Sequence, residues 1–196
     1  MRRTGVNLSK VVVHIDLKGA PPKLEYLTSL LPLFKDVGAN ALLLEYEDMF
    51  PYKGDIANLS SKYCYKEQEL KEFIKFATNE GLEIIPLIQT FGHLEHALKL
   101  AEFKHLREIT IYPDSICPSN AGSIILIDSM LKQIIGFHSS VVELKHIHVG
   151  CDEVFHINKC DQCRSRDNTD VGIYMSHLRR VTETRKNYYI KLLGVI

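Results

Sequence analysis

Four short runs of β-branched and aliphatic residues, each followed by a helical pattern, constrain this chain more than any other feature. The runs cover residues 11–16, 41–44, 83–88 and 146–150. The helical patterns cover residues 23–37, 66–80, 94–106, 121–137 and 174–186. Strands that alternate with helices predict parallel strands joined by right-handed crossovers. The pattern therefore indicates an α/β protein of about four βα units, either a doubly wound sheet or a TIM barrel.

Polar side chains stand where the predicted strands end. They are Asp16 after the first strand, Glu45 and Glu47 after the second, His93 after the third, and Asp152 and Glu153 after the fourth. Because the carboxyl ends of parallel strands meet at one edge, that edge is where such folds keep their catalytic groups. No glycine-rich phosphate-binding motif follows any strand, so nothing supports nucleotide binding.

Asp152 and Glu153 are adjacent carboxylates directly behind a buried strand. Two carboxylates crowded into one pocket repel each other, so one can hold and donate a proton while the other stays charged. The alternative is a solvated pair that opens the next helix, where the helix dipole favours acidic side chains. His93 likewise fits either a functional residue or the start of a helix. From these residues alone both interpretations stay open.

The charge balance excludes several classes of partner. The chain has 24 Lys and Arg residues against 24 Asp and Glu residues, for a net charge of +0. No basic field is available to hold nucleic acid or a membrane surface. Residues 1–13 lack the long apolar run of a signal peptide. We therefore expect a protein of the cytoplasm and nucleus that binds neither nucleic acid nor membrane.

The five cysteines fit free thiols in a reducing compartment better than a disulfide framework, because their number is odd. Cys151, His156, Cys160 and Cys163 form a cluster along the sequence, and a zinc-binding protein built on it is one alternative. Zinc ribbons usually carry two C-x2-C pairs, however, and only Cys160 and Cys163 form one here. The preferred interpretation is therefore reduced thiols, with no metal and no cofactor.

Four stretches together resemble glycoside hydrolase family 20. They are residues 13–23 (VHIDLKGAPPK), 45–52 (EYEDMFPY), 86–93 (PLIQTFGH) and 148–153 (HVGCDE). The resemblance runs from about residue 8 to about residue 182. It implies a (β/α)8 barrel that removes terminal β-linked N-acetylgalactosamine or N-acetylglucosamine with retention of configuration. The partner implied is the non-reducing end of a small glycoside or glycan.

The resemblance also implies a role for each of the paired acids. Glu153 matches the general acid, which protonates the glycosidic oxygen and later activates water. Asp152 matches the residue that holds the substrate's 2-acetamido group, whose carbonyl oxygen attacks the anomeric carbon. Because this family uses the substrate as nucleophile, it is an exception to the scheme of two opposed carboxylates. Adjacent acids are therefore sufficient.

Further site residues follow from the same resemblance. His93 is expected near Glu153 and linked to an acid of the second strand, with Glu47 preferred and Glu45 the alternative. Asp16 and Lys18 stand where the family has an arginine that contacts sugar hydroxyls. Lys18 offers a point charge instead of a bidentate clamp. The implied site thus has Glu153, Asp152 and His93 as catalytic residues and Asp16, Lys18 and Glu47 as substrate-binding residues.

The chain also departs from the family pattern. A complete barrel typically needs around 250 residues, whereas this chain has 196, four visible strands and no tryptophan. We expect an incomplete catalytic barrel over residues 8–186 and a divergent, poorly packed tail over residues 187–196. Such a truncated form should have little activity alone. An apolar inner face and open edges should favour self-association, and a non-catalytic binding half-barrel is the alternative function.

Overall fold

The computed structural model describes residues 9–165, 169–184 and 191–193. Its strands are β1 (Val12–Asp16), β2 (Ala41–Glu45), β3 (Glu83–Leu87), β4 (Arg107–Ile109), β5 (Tyr112–Ile116), β6 (His146–His148) and β7 (Lys191–Leu193). Its α-helices are α1 (Leu24–Asp36), α2 (Glu67–Asn79), α3 (Glu95–Leu98), α4 (Ala121–Ser139), α5 (Asp161–Arg164) and α6 (Asp170–Thr184). Short 3-10 helices cover Glu47–Met49, Gly54–Leu59 and Ala101–Leu106. Within these ranges no helix has both the length and the apolar character needed to cross a bilayer.

Five strands form one parallel sheet in the order β1-β2-β3-β6-β7. Asp16 lies opposite Glu45, and Leu87 lies opposite His148. The carboxyl ends of β1, β2, β3 and β6 therefore meet at one edge. The four predicted strands are confirmed as parallel neighbours in chain order, because no antiparallel partner separates them.

Helices cover one face of this sheet and form the core with it. In α2, the buried residues Leu70, Phe73, Ile74 and Ala77 follow helical spacing along one side. The helix therefore turns one apolar stripe to the sheet and a charged stripe to solvent. The long helix α4, with buried positions from Ser123 to His138, packs in the same layer.

The opposite face of β1 is open. Val13 and Ile15 pack against the core, whereas Val12, His14 and Asp16 are exposed. Alternate residues of a strand point to opposite faces, and in a closed barrel the other strands would enclose the inward set. This exposure is what five strands of an eight-stranded barrel produce. The expected apolar character of this face is wrong near the carboxyl ends of the strands, where polar side chains line it.

In the chain, an antiparallel hairpin of β4 and β5 follows α3 and precedes α4. The helix predicted over residues 94–106 is partly wrong, because α3 ends at Leu98 and a 3-10 helix covers Ala101–Leu106. The two strands of the hairpin were not predicted. Ile109 and Tyr112 belong to the types that favour strands, and they pair across the turn. The Arg107 guanidinium donates to the carbonyls of Leu98 and Thr110, which ties the hairpin to α3.

The predicted divergent tail contributes a strand to the sheet. Residues 191–193 form β7 and pair in parallel with β6, and the Lys191 amide donates to the Lys145 carbonyl. The backbone groups of these three residues therefore extend the β6 ladder, and poor packing of the tail stays a prediction. Residues 187–190 and 194–196 lie outside the described residues, and the boundary at residue 186 stays a prediction.

Candidate active site

Asp152 and Glu153 lie in the loop directly after β6. The chain turns there at Gly150, whose φ is +64° and where an added Cβ would collide with Gln89 Oε1. Glycine is favoured there by its left-handed conformation, and a larger residue would also displace the Gln89 side chain. The Asp152 side chain is 42% exposed and that of Glu153 is 64% exposed. Both carboxylates thus open to solvent at the edge where the strands end.

His93, in the loop after β3, contacts both acids. Its Nε2 atom lies 3.6 Å from Asp152 Oδ2 and 3.4 Å from Glu153 Oε2. These are ion-pair distances, longer than a typical N–H···O hydrogen bond. The geometry brings together the three residues predicted to be catalytic. A histidine between two carboxylates can orient either one and balance its charge.

A close backbone approach joins the loop of His93 to the loop of the two acids. A Cβ atom at Gly92 would lie 2.8 Å from the Asp152 carbonyl oxygen and 3.4 Å from the Glu153 carbonyl oxygen. The missing side chain of Gly92 therefore lets the two loops touch. Backbone oxygens, unlike the end of a flexible side chain, cannot move aside without moving the acids.

We expect Gly92→Ala to lower the free energy of unfolding by about 1–3 kcal/mol, because the added methyl group overpacks this contact. Gly136→Ala in α4 is the matched control, since nothing lies within 4 Å of the added atom. That variant should be stabilised by about 0.5–1 kcal/mol, because alanine favours the helix. Urea titration measures both values. Equal stability of Gly92→Ala and the parent chain would contradict the close approach.

Left-handed backbone conformations cluster at the same edge. Glu47 has a φ of 44°, His93 of 53°, Cys151 of 74° and Glu153 of 45°. These are four of the five non-glycine residues with positive φ in the described part of the chain. Each such residue costs about 1–3 kcal/mol and persists only where the surroundings hold it. The loops after β2, β3 and β6 are therefore held in unfavourable conformations that set the direction of the functional side chains.

Asp16, Lys18 and Glu47 also lie together, at the ends of β1 and β2. Lys18 Nζ lies 2.8 Å from Glu47 Oε1 and 3.9 Å from Asp16 Oδ2. The Lys18 backbone amide donates to Asp16 Oδ1 at 2.9 Å. The Glu47 side chain is buried, whereas Asp16 and Lys18 are exposed. The predicted substrate-binding residues therefore form one charged group beside the open face.

The predicted link from Glu47 to His93 is wrong. The carboxylate of Glu47 takes the Lys18 ammonium as its partner. Among the described residues, no hydrogen bond joins His93 to Glu47 or to the alternative, Glu45. A buried carboxylate needs a compensating charge, and Lys18 supplies it from the loop after β1.

The pKa values of Glu47 and Lys18 are each set by burial and by the charge of the partner. Burial raises the pKa of the Glu47 carboxyl, and the hydrogen bond and charge of Lys18 oppose that rise. Burial acts to lower the pKa of Lys18, but the hydrogen bond and charge of Glu47 outweigh it, so the pKa is raised. Lys18 therefore stays charged at neutral pH and is held by Glu47.

A polar network that the sequence analysis missed lines the open inner face. His14 Nε2 lies 3.0 Å from Glu45 Oε2, and Gln89 Nε2 donates to Glu45 Oε1 at 2.9 Å. A cleft of about 260 Å³ is lined by His14, Leu43, Glu45, Leu87, Gln89, His148 and Asp152. Burial lowers the pKa of His148, and this effect outweighs the negative charge of Asp152, which acts to raise it. The alternation of residues 12–16, which puts His14 on the same face as Asp16, was the available signal.

Residues of α6 support the acid-bearing loop from behind. The Tyr174 hydroxyl donates to the Cys151 carbonyl at 2.8 Å. His177 Nε2 donates to the Thr90 carbonyl at 2.8 Å, and Thr90 Oγ1 donates to the Val149 carbonyl at 2.7 Å. Burial lowers the pKa of His177 to about 4, so its ring is neutral at pH 7. These bonds connect α6 to the ends of both β3 and β6.

The alternative metal set proposed from the sequence is not brought together. Cys151 Sγ lies beside Thr90 Oγ1 at 3.1 Å, and His156 Nδ1 pairs with Asp114 Oδ2 at 2.9 Å. Cys160 and Cys163 lie near each other, and both contact Cys117, a residue outside the predicted set. The hypothesis of zinc held by Cys151, His156, Cys160 and Cys163 is therefore wrong as to its ligands, because Cys151 and His156 already have other contacts.

Comparisons with known proteins find similar sequences and a similar fold. Residues 28–193 match the glycosyl hydrolase family 20 catalytic domain. Hexosaminidase D of Homo sapiens is 43% identical over 174 residues, which cover 87% of this chain and 35% of the human protein. Hexosaminidase D of Bos taurus is 40% identical over 182 residues, covering 91% of this chain and 52% of the bovine protein. The chain thus spans about a third to a half of these relatives.

The fold is shared with a solved barrel enzyme of low sequence identity. The chitobiase of Flavobacterium johnsoniae superposes with a TM-score of 0.77 at 14% identity, over 94% of this chain and 31% of the chitobiase. At that identity the likeness establishes the fold alone. Of the two architectures that the strand–helix pattern allowed, the TIM-barrel type is therefore confirmed, in incomplete form.

Proposed function

Because this chain belongs to glycoside hydrolase family 20, we propose that it forms the acid-bearing part of a β-N-acetylhexosaminidase. The substrates are glycans or small glycosides with terminal β-linked N-acetylgalactosamine or N-acetylglucosamine. The reaction retains configuration and uses the substrate's acetamido group as nucleophile. The contact of His93 with both Asp152 and Glu153, at the ends of β3 and β6, carries the proposal.

Glu153 is the proton donor in this proposal. Its side chain is the more exposed of the two acids and so can reach the oxygen of the leaving group. It protonates that oxygen as the glycosidic bond breaks, and the resulting carboxylate then takes a proton from the attacking water. His93, in contact with the same carboxylate, keeps it oriented through both steps.

Asp152 acts on the acetamido group. As a carboxylate it accepts a hydrogen bond from the acetamido N–H, which makes the carbonyl oxygen a better nucleophile towards the anomeric carbon. The cyclic oxazoline that forms carries positive charge, and the neighbouring anion stabilises it. Since the substrate supplies the nucleophile, no carboxylate is needed on the opposite side of the sugar.

Asp16, Lys18 and Glu47 are proposed to bind sugar hydroxyls at the rim of the cleft. Asp16 is exposed and offers acceptor oxygens. Lys18 keeps donor capacity beyond its bond to Glu47, because an ammonium group has three N–H donors. Together these side chains can distinguish the orientation of hydroxyl groups at one edge of the sugar ring.

We also infer that the chain works in the cytoplasm and nucleus, away from nucleic acid and membranes. All five cysteines are free thiols, which fits a reducing compartment. The net charge of +0 gives no attraction to phosphate backbones or acidic lipids. Self-association through the exposed edge of β1 is part of the same proposal.

A chimaera tests the function. In this protein, named here the completed barrel, residues 9–193 replace the matching region of human hexosaminidase D. We expect it to hydrolyse the 4-nitrophenyl β-glycosides of N-acetylgalactosamine and N-acetylglucosamine, because the acids then face a closed pocket. Proton NMR of the first-formed sugar should show the β-anomer.

The matched control substrate is 4-nitrophenyl β-D-galactoside, which has a hydroxyl in place of the acetamido group. It should not be turned over, because the nucleophile is missing. Equal turnover of the N-acetylgalactosaminide and the galactoside would rule out the proposed mechanism. Release of the α-anomer first would also rule it out.

A further inference from the structure

A second cluster of reactive side chains lies apart from the two acids. It joins Glu108 of β4 and Cys117, just after β5, to Cys160 and Cys163 at the start of α5. One ligand atom from each of the four residues lies within 4.8 Å of all the others. Glu108, Cys117 and Cys163 are buried and Cys160 is partly buried. We refer to these four residues as the thiol cluster.

The distances in the thiol cluster fit a tetrahedral zinc site. Cys117 Sγ lies 3.4 Å from Cys160 Sγ and 3.7 Å from Cys163 Sγ. With Zn–S bonds of about 2.3 Å, two sulfur ligands of a tetrahedral ion lie about 3.8 Å apart. Cys163 Sγ lies 3.3 Å from Glu108 Oε2, close to the roughly 3.5 Å expected between a sulfur and a carboxylate ligand.

The buried carboxylate of Glu108 also indicates that the cluster binds a cation. Glu108 is only 3% exposed, and in the described part of the chain none of its contacts is an ion pair with Lys, Arg or His. Its Oε1 accepts the backbone N–H groups of Lys159 and Cys160, which orients the carboxylate and leaves Oε2 towards the thiols. A buried carboxylate is normally paired or bound to a metal. Cysteine sulfurs and carboxylate oxygens are both zinc ligands, and three sulfurs with one oxygen supply the four donors of a tetrahedral ion.

We propose that Glu108, Cys117, Cys160 and Cys163 bind one Zn²⁺ ion as a structural site. Four protein ligands complete a tetrahedral ion, so no position is open for water or substrate. The site is therefore separate from the hydrolytic chemistry. It keeps the C-x2-C pair that the sequence indicated, but Cys117 and Glu108 replace Cys151 and His156.

The zinc site would secure the loop that carries the catalytic acids. The loop runs from the end of β6 to Cys160, with Asp152 and Glu153 near its beginning. Two of the ligands are Cys160 at its end and Cys163 in α5 directly after it. In its middle, His156 stacks on Tyr112 of β5 with ring centroids 4.6 Å apart. The ion adds a further attachment of the loop to the β4–β5 hairpin, beside the amide bonds to Glu108 and the contacts of His156.

Metal analysis of the 196-residue chain tests the site. The chain is purified in reductant, incubated with zinc chloride, passed through a desalting column and analysed by mass spectrometry for metals. We expect about one zinc ion per chain. Cobalt(II) in place of zinc should give intense visible bands of tetrahedral coordination and a near-ultraviolet thiolate-to-cobalt band. The cobalt spectrum needs no variant and so does not depend on the folding of one.

Two variants and one control identify the ligands. Cys117→Ser and Cys163→Ser should each reduce bound zinc to below roughly one tenth of an ion per chain and remove the near-ultraviolet cobalt band. Cys64→Ser removes a cysteine outside the cluster and should retain both. Any of three results would overturn the proposal: no zinc in the reduced parent chain, full zinc in Cys117→Ser, or a disulfide between Cys117 and Cys160 formed in reductant.

Discussion

The 196-residue chain by itself should hydrolyse 4-nitrophenyl N-acetyl-β-D-galactosaminide at least about a thousandfold more slowly than the completed barrel. The reason is geometric. Attack by the acetamido oxygen requires that group to be pressed against the anomeric carbon and shielded from water. Such positioning amounts to about 7–11 kcal/mol of a reaction barrier. An open site that does not hold the acetamido group in place loses most of this lowering of the barrier.

The exposure of the acids supports this expectation. Glu153 is 64% exposed and Asp152 is 42% exposed, and the inner face of β1 is open. Water at such a site screens both charges and competes for every hydrogen bond with the sugar. The measurement is kcat/KM for the two purified proteins. Turnover of the 196-residue chain within tenfold of the completed barrel would contradict it, and gel filtration of the active sample would show whether a second copy closes the pocket.

The parallel sheet and the catalytic edge were predictable from the sequence because two simple signals coincide. The aliphatic runs that form β1, β2, β3 and β6 are each followed by polar residues, and parallel strands present their ends at one edge. His93, Asp152 and Glu153 had to meet there once the order of the strands was correct. This is why residues separated by about sixty positions could be assigned to one site.

The features that the sequence did not predict depend on contacts between residues that hydrophobic periodicity does not reveal. The β4–β5 hairpin is built from strands of three and five residues, which are too short for hydrophobic periodicity to identify. Without the hairpin, Glu108 and Cys117 could not be joined to the later cysteines. The bond between Lys18 and Glu47 likewise depends on side-chain direction at a left-handed residue, which sequence spacing does not reveal.

In the completed barrel, Glu153→Gln should lower kcat for substrates with poor leaving groups by about 10²–10⁴-fold. An amide keeps the shape of the side chain but cannot protonate the departing oxygen. Asp152→Asn is the matched comparison, because it removes the neighbouring charge with an equally small change. That variant should slow all substrates similarly, since Asp152 acts on the acetamido nucleophile and not on the leaving group.

The most direct test of the account is therefore the dependence of kcat on the leaving group. A series of aryl N-acetyl-β-D-galactosaminides, from 2,4-dinitrophenyl to phenyl, is measured with the completed barrel and its Glu153→Gln and Asp152→Asn variants. The expected result is a loss in Glu153→Gln that nearly disappears for dinitrophenyl and grows towards phenyl, while the loss in Asp152→Asn stays constant. A loss in Glu153→Gln that is equal across the series would contradict the assignment of Glu153 as the acid.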